Sequence, residues 1–161
     1  MLWVKVILLF LLIPGIADVL VPWIILTKSG TLAMPVIGWL QVLGILIACA
    51  GLVIVIWVFQ ALARFGRGTP APFDPPRQFV RRGLFRWVRN PLYLGAAVLI
   101  PLGEAVFFKS WQLLVYTAVL FTILHLYVVL VEEKELERRF GRPYQKYLRT
   151  VPRWIPRRPR D

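Results

Sequence analysis

VIGWLQVLGILIACAGLVIVIWVFQAL, residues 36–62, is the stretch that decides the class of this protein. It runs without one charged side chain, and at about 1.5 Å of helical rise per residue it outreaches the roughly 30 Å hydrocarbon core of a bilayer. A helix of a soluble domain keeps a polar face toward water; this segment has none, so it reads as membrane-spanning. Gly38, Gly44, Ala48 and Gly51 put small residues near one face, the pattern that lets a second helix approach closely by packing alone.

Three further apolar runs flank it. The first, from Leu2 to Leu26, is long enough to span and is interrupted by Pro14, Gly15 and Pro22, which predict kinks that neighbouring helices tolerate. A cleaved leader is the competing reading, but Lys5 alone is a thin basic region, no small-x-small cleavage site follows, and apolar residues continue past Asp18. Asp18 is a carboxylate at membrane depth, either functional or a hydrated residue of the kink. TKSGTLAMP, residues 27–35, makes a polar turn, so the first two spans form a hairpin. The third run, Leu92 to Phe108, is bent by Pro101 and Gly103 and carries Glu104; Lys109 and Ser110 mark a turn, and Trp111 to Val131 forms the fourth, with Trp111 and Tyr127 near its ends as interfacial aromatics. The expected fold is therefore a single all-α membrane domain over residues 1–161, with four transmembrane helices at about 2–26, 36–62, 92–108 and 111–131, a basic loop at 63–91 and a tail at 132–161.

Composition agrees. Hydrophobic residues make up 58% of the chain, against roughly 45–50% in soluble domains. The net charge of +12 would suit a nucleic-acid partner were it spread over a face, but seven Lys/Arg lie between Arg64 and Arg89 and ten after Val131, leaving Lys5, Lys28 and Lys109 for the rest. Charge gathered in two segments beside apolar runs marks cytoplasmic loops and excludes the need for nucleic acid. Both termini are thus expected in the cytoplasm, in a bacterial inner membrane. Cys49 and His125 are each the sole residue of their kind, so no disulfide and no metal cage of Cys or His is available.

The loop and the tail carry the polar chemistry. ARFGRGTPAPFDPPR, residues 63–77, has the proline content of extended loop, and RNPLYLG, residues 89–95, brings polar side chains to the mouth of the third span. Pro91 disfavours helix at Asn90 and then starts the span, so backbone groups just before it stay available to a ligand. After Val131, Leu136, Phe140 and Tyr144 recur on one face of an amphipathic helix that lies on the membrane or folds back on the bundle, with Gly141 and Pro143 breaking it briefly. Glu132 and Glu133 serve lipid anchoring badly beside an anionic leaflet. Adjacent on a helix they diverge by about 100°, so one at most points into the bundle.

GLFRWVRNPLYLG, residues 83–95, followed after one span by EEKELERRFGRPYQKYLRTVPRWIP, residues 132–156, resembles the isoprenylcysteine carboxyl methyltransferase and phospholipid methyltransferase superfamily. The resemblance implies S-adenosylmethionine as methyl donor, held at the cytoplasmic end of the last hairpin and partly roofed by the tail. Carried over by position, it assigns Arg77, Gln78, Phe79, Val80, Phe85, Asn90, Pro91, Leu92, Tyr93 and Glu132 to cofactor binding. Asn90 stands where histidine is common, Phe85 where tyrosine is, and HLYVVLV before the glutamates lacks the arginine of the carboxyl-methylating members, so a prenylcysteine acceptor is not carried over.

The expected reaction is in-line methyl transfer to a small lipophilic acceptor, a prenyl-type carboxylate, a lipid amine or similar, entering from the bilayer, with no metal required. An amine acceptor must first lose a proton, for which Glu133 and His125 are the candidate bases. A non-catalytic membrane subunit that uses its basic tail to hold lipid or a partner is the alternative, and a membrane reductase of related architecture a further one, though no G-x-G-x-x-G motif is present. The sequence leaves the oligomeric state open.

Overall fold

The computed structural model describes residues 15–33, 35–66 and 76–159, and the described residues contain helices and no strands. Helix α1 covers residues 16–28, opening with a wide π-type turn, Ile16–Leu20. Helix α2 is Trp39–Gly66. Helix α3 covers 91–108, starting at Pro91–Tyr93 and passing through a wide turn at Leu94–Leu99. Helix α4, Trp111–Phe140, has its wide turn at Val128–Glu132, and α5 is Arg142–Thr150.

Among the described residues two helices, α2 and α4, are long and apolar enough to cross a membrane, not the four that the hydropathy suggests. The expected first span lies largely outside the described residues, and α3 is the shorter apolar helix, at about 26 Å a little less than the hydrocarbon thickness. Only 22% and 11% of the apolar windows of α2 and α4 are buried within the protein. A core helix of a soluble domain would be covered; here Val42, Leu46, Val53, Trp57, Leu114 and Ile123 face outward, as lipid-facing side chains do.

Glycine sets the centre of the bundle. Gly44 and Gly103 meet so closely that a Cβ on Gly44 would lie 2.6 Å from the Gly103 carbonyl, and one on Gly103 2.6 Å from the Gly44 carbonyl. Gly51 and Gly95 repeat the contact, each with a virtual Cβ 2.8 Å from the other's carbonyl. The helices therefore run antiparallel, and the expected small-residue face is the one used, except that Gly38 sits before α2 and meets only Gln41. Seven residues separate the glycines on α2 and eight on α3. The wide turn at Leu94–Leu99 absorbs the extra residue, and it sits where Pro101, lacking an amide proton, interrupts regular helical bonding.

Gln41 fastens the far end. Its amide, 1% exposed, donates to the Phe107 carbonyl at 3.0 Å while its Oε1 accepts from the Gly38 N–H at 3.1 Å. Beyond it Lys109 turns the chain in the left-handed region, and the Ser110 hydroxyl caps α4 by accepting from the Leu113 N–H. Leu26, Ala105 and Leu113 pack this end; Val58, Leu62 and Val80 pack the other.

Two boundaries differ from the sequence reading. Helix α2 continues to Gly66, four residues past the expected end, and α4 runs unbroken through the glutamates to Phe140 before Gly141, at φ +59°, turns the chain into α5. The amphipathic face of Leu136, Phe140 and Tyr144 folds back on the protein, where Phe79 packs against Phe140, Tyr144 and Tyr147 at centroid distances of 5.0–5.6 Å.

Gly44→Ala and Gly103→Ala each drive a methyl into backbone that cannot yield, an overpacking worth about 1–3 kcal/mol. Both should lower the thermal midpoint in detergent by a few degrees. Gly15→Ala, where none of the described residues lies within 4 Å of the added carbon, should not.

Candidate functional site

The end of the bundle that carries the basic segments is built around the break at Asn90. Asn90 has φ −118° and ψ 57°, outside the helical region because Pro91 follows, and its carbonyl accepts from the Leu94 N–H at 3.1 Å to begin α3. Tyr93, one turn on, brings its hydroxyl within hydrogen-bonding reach of the Glu132 carboxylate on α4. Glu132 Oε2 is buried and meets no hydrogen-bond partner among the described residues. Burial raises the proton affinity of Glu132, and the hydrogen bond from Tyr93 opposes that shift; an unpaired carboxylate oxygen at such a place wants a cation or a proton.

Glu133 faces elsewhere, as the divergence of adjacent helical residues requires. Its Oε1 accepts from Arg89 Nη1 at 2.8 Å and from Arg153 Nε at 2.9 Å, and its Oε2 from Arg153 Nη2 at 2.9 Å. The fork–fork geometry with Arg153 is the strong form of this pair. Arg89 is mostly buried, which lowers its proton affinity, while Glu133 beside it restores part of the loss. The wide turn at Val128–Glu132 re-aims the two carboxylates within α4.

Arg153 belongs to a strap, residues 151–157, that crosses the break. Arg89 N–H donates to the Pro152 carbonyl at 2.9 Å, Asn90 Nδ2 to the Arg153 carbonyl at 3.3 Å, and Arg157 N–H to the Trp87 carbonyl at 3.0 Å. Trp154 closes the far edge, its indole N–H donating to His125 Nδ1 at 2.8 Å. With Nδ1 accepting, neutral His125 carries its proton on Nε2 and has no lone pair left for a base. Glu133 likewise has both oxygens engaged. The two residues proposed from sequence as bases are thus brought to the strap's docking face.

The remaining sequence candidates divide. Asn90, Pro91, Tyr93 and Glu132 converge; Phe85 and Leu92 line the apolar wall with Val58, Leu62 and Val80, and the Phe85 carbonyl accepts from the Tyr147 hydroxyl at 2.8 Å. Arg77, Gln78 and Phe79 lie on an extended strip pinned to the end of α2 by Arg77 and Gln78 N–H donating to the Gly66 carbonyl. The pair Tyr144 and Tyr147 packs on Phe79 and also faces Arg89, and so separates that strip from the break. Asp18 is buried at the other end, near Glu104 and Tyr116, whose hydroxyl donates to the Ala17 carbonyl at 2.7 Å. Glu104 is fourteen residues, about 21 Å of helix, from Asn90. Sequence reasoning missed Arg153 and Trp154 as docking residues; their only local signal was an aromatic among basic residues.

A family model described as phospholipid methyltransferase matches residues 39–143. The chain belongs to this family. The matched region is more than half of the chain and contains α2, α3, α4, the break and both glutamates, while the strap lies beyond it. Membership makes this a membrane protein of a family of methyltransferases that act on lipid-type substrates. No curated protein and no solved structure matches the chain.

Glu133→Gln removes the charge that pairs with both guanidiniums and puts an amide donor in place of one accepting oxygen, and so should release the strap. Limited trypsin treatment in detergent should then cut at Arg153 and Arg157 about tenfold faster or more, with the bundle intact. Arg138→Gln, which loses only an exposed pair with Glu135 at 3.8 Å, should leave the cleavage rate unchanged.

Proposed function

We propose that this protein transfers a methyl group from S-adenosylmethionine to a lipophilic acceptor at the cytoplasmic membrane face, with the donor seated at the break between Asn90 and Tyr93. The single observation that carries the reading is the buried, unpartnered Glu132 Oε2 beside Tyr93. S-adenosylmethionine supplies an electrophilic methyl on a sulfonium cation, together with an adenine and an amino acid. The residues at the break fit such a ligand: Glu132 offers the counter-charge, Tyr93 an aromatic face that also attracts cations, and Asn90 an amide oxygen with no protein partner among the described residues.

The strap has a clear part in this reading. Pinned to Glu133 and His125, it excludes water from one side of the break and holds the Asn90 side chain by its amide nitrogen. A neutral histidine N–H would serve the same contact, which explains why asparagine is acceptable where the family commonly has histidine. With His125 and Glu133 occupied by the strap, the chain's own contribution is positioning, the largest service available to an in-line displacement. The acceptor class is a lipid amine or another group that reaches the break from the bilayer. Both termini and the basic segments lie in the cytoplasm in this arrangement, following the distribution of Lys and Arg.

Glu132→Gln should weaken binding of S-adenosylmethionine by about 10- to 100-fold, since a charge-assisted contact contributes about 1.5–3 kcal/mol. Ligand-induced thermal stabilisation in detergent reads this directly. Because burial raises the proton affinity of Glu132, affinity for the cationic donor should rise with pH through a range above the ordinary carboxylate values, and Glu132→Gln should flatten the profile. Asn90→His should keep the affinity. Undiminished binding by the Glu132 variant would remove the donor from this site.

Topology is checked separately, after replacing Cys49, by single cysteines at Ala33 and Ile155, both exposed. An impermeant maleimide added to intact cells should label position 33 and spare 155.

A further inference from the structure

A cleft of about 370 Å³ opens along the strip that follows α2, lined by Arg64, Phe65, Phe79, Arg81 and Arg82 with Gln78 and Val80. It belongs to the strip that Tyr144 and Tyr147 separate from the Asn90 break. Three exposed arginines line it, and among the described residues no carboxylate pairs with any of them: the acidic partners present serve Arg89, Arg138 and Arg153. Arg82 is pre-oriented over the Phe65 ring, its Cζ 5.1 Å from the centroid. The cleft is held concave because Arg77 and Gln78 N–H groups both donate to the Gly66 carbonyl, drawing residues 77–82 across the end of α2. Phe79, fixed by Phe140, Tyr144 and Tyr147, forms a rigid wall.

Such an assembly suits a tetrahedral anion. Arginine forks match phosphate oxygens in pairs, and three unneutralised guanidiniums brought together repel one another until an anion joins them. The same charge opposes a sulfonium cation, so this cleft and the Glu132 site select ligands of opposite sign. It lies at the end of α2, a helix long and apolar enough to cross a membrane, and the end of such a spanning helix is where lipid headgroups are met. We propose that the cleft is a binding site for a phosphate ester, with Arg64, Arg81 and Arg82 as its ligands and the headgroup of an anionic phospholipid as the class of molecule that fills it. Phe65, 40% exposed beside the arginines, offers an apolar contact to the glycerol and first acyl carbons of such a lipid. The assignment does not depend on methyl transfer, since it is read by binding alone.

The test uses the full-length protein and two probes. In the first arm, the protein is reconstituted in phosphatidylcholine bilayers with and without phosphatidylglycerol, extracted, and the lipids retained are counted by native mass spectrometry. In the second, detergent-purified protein free of added lipid is titrated with inorganic phosphate and followed by thermal stability. The double variant Arg81→Gln with Arg82→Gln is compared with Arg149→Gln with Arg158→Gln, which removes the same charge from exposed positions of the tail. Selective retention of phosphatidylglycerol, reduced about tenfold or more per guanidinium removed from the cleft and little changed in the tail variant, is the expected result. Stabilisation by inorganic phosphate that is lost only in the cleft variant would keep the phosphate site and assign it to a soluble ester. Equal losses in both double variants, or no retention and no stabilisation in the parent, would overturn the site and leave only the general attraction of a basic surface for an anionic leaflet.

Discussion

Everything at the basic end of the bundle hangs on two backbone contacts within it, Gly44 with Gly103 and Gly51 with Gly95. Where neighbouring side chains are as apolar as the surrounding lipid, burying them contributes little, and helices associate through close packing and the few polar bonds available. Glycine lets α2 and α3 touch backbone to backbone at these two points. The contact fixes the register and rotation of α3, and with them which way Tyr93 faces when the helix emerges. The wide turn at Leu94–Leu99 is part of the same device: without its extra residue the two glycine pairs would not align, and Pro101 would sit in a regular helix that it disrupts.

The wide turn at Val128–Glu132 acts where the fourth helix meets the site. It turns Glu132 inward to Tyr93 and Glu133 outward to Arg89 and Arg153, so that two adjacent carboxylates acquire opposite tasks. One keeps a buried oxygen open; the other is saturated by guanidiniums. The physical difference is pairing: Glu133 is matched by two cations in good geometry, whereas Glu132 has a phenol and a desolvated oxygen. The strap exploits the saturated one. Its hydrogen bonds to residues 87–90 and to His125 connect the last residues of the chain to a break more than sixty residues earlier.

The pair Tyr144 and Tyr147 divides this end of the protein into two electrostatic regions. On one side lie the carboxylates of α4; on the other, three arginines at the end of α2. Burial raises the proton affinity of both phenols, so they remain neutral donors and do not add a negative charge between the regions. Tyr147 spends its hydroxyl on the Phe85 carbonyl and Phe79 stacks edge-on to both rings, which makes the partition rigid.

The sequence by itself determined the membrane class, the break at Asn90–Pro91, the use of a small-residue face on α2, and the divergence of the two adjacent glutamates. These are local properties: hydropathy over a window, the missing amide of proline, the 100° step of a helix. Resemblance of two separated blocks also led to the family that the match over residues 39–143 shows. What the tertiary structure decided was non-local or depended on irregular turns. That two of the described helices rather than four are long enough to span, that α4 runs on to Phe140, and that Arg153 and Trp154 come back to Glu133 and His125 required the chain to be folded. Wide helical turns have no signature in hydropathy, and an ion pair across twenty residues is set by how Gly141 turns the chain, not by the spacing of its charges. The arginines at 64, 81 and 82 looked alike in sequence with every other basic residue of the loop; only the pinning of residues 77 and 78 to Gly66 gathers these three around one cleft.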